Sequence, residues 1–193
     1  LERLAERRDD LVIMGMVPED ANLAFMPILD NEMIPVVWPG HPLLTADAPT
    51  LEDFTRYYVL MREPGSGTRT AFEDFVARER VSLRHTLELG TNEAIKQGVM
   101  AHLGVAVLPR LAVQLELASG LLASPTLPGF PLRRSWCTVH PKDRYPTPVT
   151  ELFLRFVREL LPELNAHFKA PLVPAPAPAA SPPSPPARRT SSR

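Results

Sequence analysis

Two short segments concentrate glycines and hydroxyls where an apolar run gives way to a helical pattern: Arg62-Glu-Pro-Gly-Ser-Gly-Thr-Arg69 and Gly90-Thr-Asn92. At the start of a helix the first backbone amides lack intrahelical partners, and the positive end of the helix dipole points the same way. Two such ends facing one crevice form an anion site built from amides and hydroxyls. The candidate contacts are Ser66, Gly67, Thr68 and Arg69 in the first segment and Thr91 and Asn92 in the second. The competing reading is local, with Ser66 or Thr68 capping one helix and Thr91 the other. The first segment has the glycines of a phosphate loop but lacks the Gly-Lys-Ser/Thr that grips nucleotide phosphates.

Little else in the chain suggests chemistry. Ser66 does not sit in a Gly-x-Ser-x-Gly elbow, and no His–Asp pair lies near it in sequence. An enzyme would need a catalytic group at the crevice, where only Glu63 or Arg69 is available, so no catalytic residue is assigned. His41, His85, His102, His140 and His167 are scattered without metal-ligand spacing, so neither a metal nor a cofactor is expected. Cys137 alternates with its neighbours like a sheet residue and reads as core rather than nucleophile. Trp38 and Trp136 read as packing residues, Trp136 being the one that could border a cleft. Arg133 and Arg134 could pair with carboxylates or a ligand, but they read first as a solvated strand edge.

The elements that must position the two segments follow from periodicity. Residues 11–16, 23–28 and 33–38 are short apolar runs separated by Pro18, Asp20, Asp30 and Asn31, and they read as separate strands. A short helical turn follows Thr50. Residues 57–61, 86–89 and 105–108 are strands alternating with helices that reach about Arg80 and His102. Ala71, Phe72, Phe75 and Val76 mark the buried face of the first helix; Ile95, Val99 and Leu103 mark that of the second, with Gly104 as its left-handed terminator. Strand–helix–strand–helix–strand is a parallel α/β unit with right-handed crossovers, and its ligands bind at the carboxyl ends of the strands. Residues 111–118 are helical, 120–123 extended and 133–140 a strand. Residues 149–164 form a closing helix with Phe153, Phe156, Val157 and Leu160 inward.

Composition bounds the rest. With 193 residues, 45% of them apolar, the chain can build a real core. A net charge of −1 gives no basic surplus for nucleic acid, and one cysteine excludes an internal disulfide. No apolar run reaches the roughly 18 residues of a membrane span, so no membrane partner is expected. Residues 171–193 hold 8 of the 23 prolines, with alanine, serine and three arginines; such a segment buries almost nothing and is expected to be a disordered tail. The amino-terminal residues, Leu1 to Arg8, read as the last turns of a helix leading into a buried strand, which puts the first residue mid-domain.

The order Asp10-Leu-Val-Ile, His41-Pro-Leu, Arg62-Glu-Pro-Gly-Ser-Gly-Thr-Arg69, Glu88-Leu-Gly-Thr-Asn-Glu-Ala-Ile-Lys-Gln97 and Gly104-Val-Ala-Val-Leu-Pro109 resembles the effector-binding domain of LysR-type transcriptional regulators. Within that family it is most similar to regulators of Calvin-cycle carboxylase operons. The resemblance covers roughly residues 1–160. It implies an α/β fold of the type-2 periplasmic-binding-protein kind, with two Rossmann-like subdomains around an effector cleft. Residues 1–38 and 130–168 would form a partial first subdomain and residues 40–125 the second, joined by crossings near 38–40 and 127–130. The resemblance further implies a small anionic metabolite, phosphorylated compounds included, contacting Thr68 and Thr91, and assembly into a homodimer or homotetramer in the cytoplasm. It implies operator DNA binding only through a winged helix-turn-helix that this sequence does not contain. A solute-binding protein of a transport system shares the fold and is the alternative.

Overall fold

The computed structural model describes residues 1–15 and 22–169 of the chain; the tail expected at 171–193 lies outside the described residues. One helical turn, α1 (Glu2–Ala5), buries Leu4 against a short strand, β1 (Val12–Met14). The next strand, β2, runs without interruption over Leu23–Val36. This corrects the expectation of two strands broken at Asp30 and Asn31. Both polar residues keep their places in an antiparallel ladder, opposite Ser135 and Arg134. The ladder absorbs an irregularity between Pro27 and Leu29, so the strand bends there instead of ending.

A 3-10 turn (Pro42–Leu44) follows, capped by His41, whose Nδ1 accepts the Leu43 amide at 3.1 Å. Helix α2 (Leu51–Thr55) opens with a reciprocal box: the Asp53 amide donates to Thr50 Oγ1, and the Thr50 amide donates to the Asp53 carboxylate. Then come β3 (Val59–Met61), α3 (Gly67–Arg78), β4 (Thr86–Glu88), α4 (Asn92–Met100) and β5 (Val105–Pro109). Strand β3 pairs in parallel with both β4 and β5, as the strand–helix alternation requires. A 3-10 turn (Arg110–Val113) leads into α5 (Gln114–Ala118), then β6 (Leu132–Pro141) and α6 (Pro148–Lys169). The extended segment expected at 120–123 shrinks to one bridge between Ala123 and Val37.

All strands join one sheet in the order β1-β6-β2-β5-β3-β4. Its central strands are buried on both faces, as parallel strands under crossover helices must be. Met33, Val59, Met61, Val105 and Val107 face Phe54 of α2 and Phe72, Phe75 and Val76 of α3. On the other face Ile34, Val36, Leu60, Ala106 and Leu108 meet Ile95 and Val99 of α4 and Val113. A smaller third cluster holds Leu4, Cys137 and Val139, and burial there pushes the Cys137 thiol up from its ordinary value.

Three expectations need correction. The left-handed residue ending α4 is His102, at φ 61°, rather than Gly104. Gly104 is required for a different reason: a Cβ there would lie 2.2 Å from the Tyr58 carbonyl oxygen. Leu103, placed on the buried stripe by spacing, is exposed. In α6 only Val157 of the four inward residues is buried, while Phe156 is 57% exposed and Phe153 38%. Helical spacing marks which face is apolar but not whether anything covers it.

Near the turn after β2, His41 is fully buried between Trp38 and Tyr57, with ring centroids at 4.2 and 4.4 Å, both edge-on. Its Nδ1 accepts a hydrogen bond, so Nε2 carries the proton, and no oxygen or nitrogen partners it. Burial pushes the His41 pKa below its ordinary value, and His102 adds to the same shift.

Candidate functional site

The carboxyl end of β3 delivers the chain to Arg62 and then to a tight turn, where Gly65 takes φ 88°. A side chain is strained at that angle, so glycine is what lets the chain reverse into α3. Ser66 is the N-cap residue of α3, yet its side chain makes no capping hydrogen bond. The first intrahelical amide is that of Thr70, which donates to the Ser66 carbonyl at 3.0 Å. The amides of Gly67, Thr68 and Arg69 therefore face outward from the positive end of a helix of 12 residues.

They face a cavity of about 520 Å³ lined by Ser66, Gly67, Thr68 and Thr70 of the α3 start, Asn92 of α4, and residues of β1, β2 and β6. From β2 comes Asn31, 6% exposed, whose Oδ1 has no hydrogen-bond partner among the described residues. From β6 come Arg134 and Trp136; Arg134 stands directly across the ladder from Asn31. Arg134 is therefore no solvated edge residue but lies on an interior strand, its guanidinium 3.6 Å from Asp74 of α3. Trp136 does border the cavity.

Arg62 ties the two segments together. Its guanidinium grips Glu63 through two bonds, at 2.7 and 2.8 Å, and donates to Asn92 Oδ1 at 3.0 Å. That hydrogen bond to Glu63 holds the arginine fully charged and pulls the Glu63 carboxyl below its ordinary value. The pair fixes the distance between the β3–α3 turn and the α4 start.

Of the residues expected to contact a ligand, Ser66, Gly67, Thr68 and Asn92 lie together on the cavity wall. Arg69 and Thr91 do not line it. The Arg69 guanidinium is bound to Glu73 at 2.8 Å, Glu88 at 3.0 Å and the Arg62 carbonyl at 3.1 Å. Thr91 Oγ1 accepts the Ala94 amide at 3.0 Å and so acts as the cap of α4. The α4 start reaches the cavity through Asn92, with its Ala94 amide taken by Thr91. Asn31 and Arg134 went unassigned because their proximity depends on a register between distant strands. The one signal available was alternation: with Cys137 inward, Trp136 and Arg134 share the other face.

Comparisons with known proteins agree with this architecture. The family described as LysR substrate binding domain matches residues 1–162. A "RuBisCO operon transcriptional regulator" of Acidithiobacillus ferrooxidans is 40% identical over 157 residues, which is 81% of this chain and 51% of that protein. The "HTH-type transcriptional activator CmpR" of a Synechocystis strain is 34% identical over 157 residues, 81% of this chain and 52% of that protein. The chain therefore spans about half the length of the curated relatives it matches. Among solved structures, the Synechocystis CcmR regulatory domain in complex with 2-PG superposes with a TM-score of 0.76 at 30% identity, over 85% of this chain and 79% of that one. The effector-binding domain of QuiR in complex with shikimate shares the fold, with a TM-score of 0.71 at 20% identity, over 85% of this chain and 77% of that one. The fold is that of type-2 periplasmic binding proteins, and the chain belongs to the LysR substrate-binding-domain family.

Proposed function

We propose that the chain is the effector-sensing part of a LysR-type transcription regulator and that a small anion binds at the start of α3. The observation that carries this reading is the uncapped helix start, with free Ser66 and Thr68 hydroxyls, facing the same cavity as buried, unpartnered Asn31. Amides and hydroxyls there take the anionic group, Arg134 supplies a positive charge across the cavity, and Asn31 reads the far end of the ligand. The complex of the CcmR regulatory domain with 2-PG, at 30% identity, supports a small-molecule effector.

On this reading the sheet divides into two units, residues 1–38 with 130–168 and residues 40–125, and the cavity lies between them. Operator DNA is engaged by a region outside this chain, and the regulator works in the cytoplasm as a homodimer or homotetramer. Among the described residues no helix is long and apolar enough to cross a membrane. The relatives are transcriptional regulators, and no catalytic role is assigned to any cavity residue.

Calorimetric titration of 2-PG and of inorganic phosphate into the chain tests the proposal. Saturable binding that weakens by roughly tenfold or more in Thr68→Val, the size of one hydroxyl contact to a charged group, is expected. Undetectable binding in the parent chain, or equal binding in the variant, refutes it.

A further inference from the structure

Many arginines of this protein have an acidic partner: Arg3 pairs with Asp9, Arg62 with Glu63, Arg69 with Glu73 and Glu88, and Arg110 with Glu32. Arg80 and Arg84 have no ion pair among the described residues, as holds also for Arg7, Arg78, Arg144, Arg155 and Arg158; these two are distinguished by where they stand. Both line a hollow of about 490 Å³, and Arg56 approaches it from the end of α2. Arg56 has Asp53 at 3.2 Å, yet its side chain remains 77% exposed. Among the described residues Glu52 is the only carboxylate on the hollow's wall, and Ser82 adds a hydroxyl.

Three arginines thus line one hollow on a chain whose net charge is −1. Arg80 takes φ 58° just past the end of α3, in the position that glycine ordinarily fills at low cost. The negative end of the α3 dipole accounts for a cation there. It does not account for Arg84 four residues further on, or for Arg56 on another element. Like charges held around one concavity repel each other unless an anion joins them.

We infer that this hollow is a second anion site, taking a compact molecule that carries two or more linked phosphate groups. Guanidinium forks match phosphate oxygens bidentately, and Arg80 and Arg84, which have no ion pair among the described residues, offer one fork to each of two linked phosphate groups. The volume is that of a small-ligand pocket rather than the extended basic stripe that tracks a nucleic-acid backbone. The hollow lies at the carboxyl end of α3, whereas the cavity described above lies at its amino end. Twelve residues of helix separate the two by about 18 Å.

The test is calorimetric titration of inorganic tripolyphosphate into the full 193-residue chain, beside inorganic phosphate and a random-sequence DNA duplex. Tripolyphosphate is expected to bind saturably and to weaken by roughly tenfold or more in Arg80→Ala/Arg84→Ala, the loss of charge-assisted contacts. The control is Arg155→Ala/Arg158→Ala, which removes the same charge from exposed positions on α6 and should change the affinity by no more than about twofold through long-range screening. Equal losses in the two double variants, no saturable binding in the parent chain, or duplex binding that is tighter and lost in Arg80→Ala/Arg84→Ala would each overturn the inference.

Discussion

Ser66 and Thr91 occupy the same formal position, the N-cap of α3 and of α4, but the structure gives their hydroxyls different tasks. Thr91 Oγ1 accepts the Ala94 amide at 3.0 Å, while Ser66 makes no capping bond. Replacing each with alanine should therefore separate stability from binding. Thr91→Ala removes a cap, which costs about 1 kcal/mol. For a chain of this size that lowers Tm by roughly 2–4 °C. Ser66→Ala removes no such bond and should stay within about 0.5 kcal/mol of the parent, as other surface changes do. For the anion the order reverses. A hydroxyl bond to a charged group is worth about 1.5–3 kcal/mol, so Ser66→Ala should weaken 2-PG binding by roughly tenfold to a hundredfold while Thr91→Ala leaves it unchanged. Thermal melts and calorimetric titrations on the same preparations give both numbers. If Ser66→Ala lowers Tm as far as Thr91→Ala and leaves the affinity alone, Ser66 is a cap and the reasoning about the open helix start fails.

Asn31→Leu should raise the Tm, because a buried amide oxygen without a partner costs about 1–3 kcal/mol, and it should abolish anion binding; a lowered Tm would show that the amide supports the fold. Gly104→Ala should destabilise by about 3 kcal/mol in urea unfolding, since its Cβ meets the carbonyl oxygen of Tyr58, just before β3; a change below about 1 kcal/mol would mean the contact between the two chain segments gives way freely. The lowered His41 pKa means that the unfolded chain takes up a proton the folded chain resists. Its contribution is fully present above about pH 6.5 and is lost as the pH falls through the lower folded value. His41→Asn, which keeps an acceptor for the Leu43 amide, should flatten the fall in Tm on acidification, and an unchanged slope would remove His41 as its source.

What could be read from the sequence was local. The parallel unit from Val59 to Pro109 follows from apolar runs and helical stripes that each lie within a dozen residues, and Ala71, Phe72, Phe75 and Val76 are all buried as their spacing requires. The N-cap at Thr91 is equally local. Whether its hydroxyl serves the helix or a ligand is decided by where the other walls of the cavity stand, and no spacing carries that. The pairing of Asn31 with Arg134 depends on the register of strands about 100 residues apart in the chain. Asp30 and Asn31 looked like a break because polar residues usually end a buried strand; here Asn31 borders a cavity, and the ladder passes through unbroken.

Strand β2 imposes a mechanical condition on whatever the cavity senses. It is bonded to β6 over Leu23–Met33 and to β5 over Met33–Val36, so Met33 is tied on both sides. At about 3.4 Å per residue its 14 residues form a beam of nearly 50 Å common to both flanks of the sheet. The two ladders overlap at Met33 alone, so each flank grips its own stretch of the strand, and turning one flank against the other strains both ladders at that residue. Asn31, two residues away on the β6 side, puts the cavity wall next to that junction.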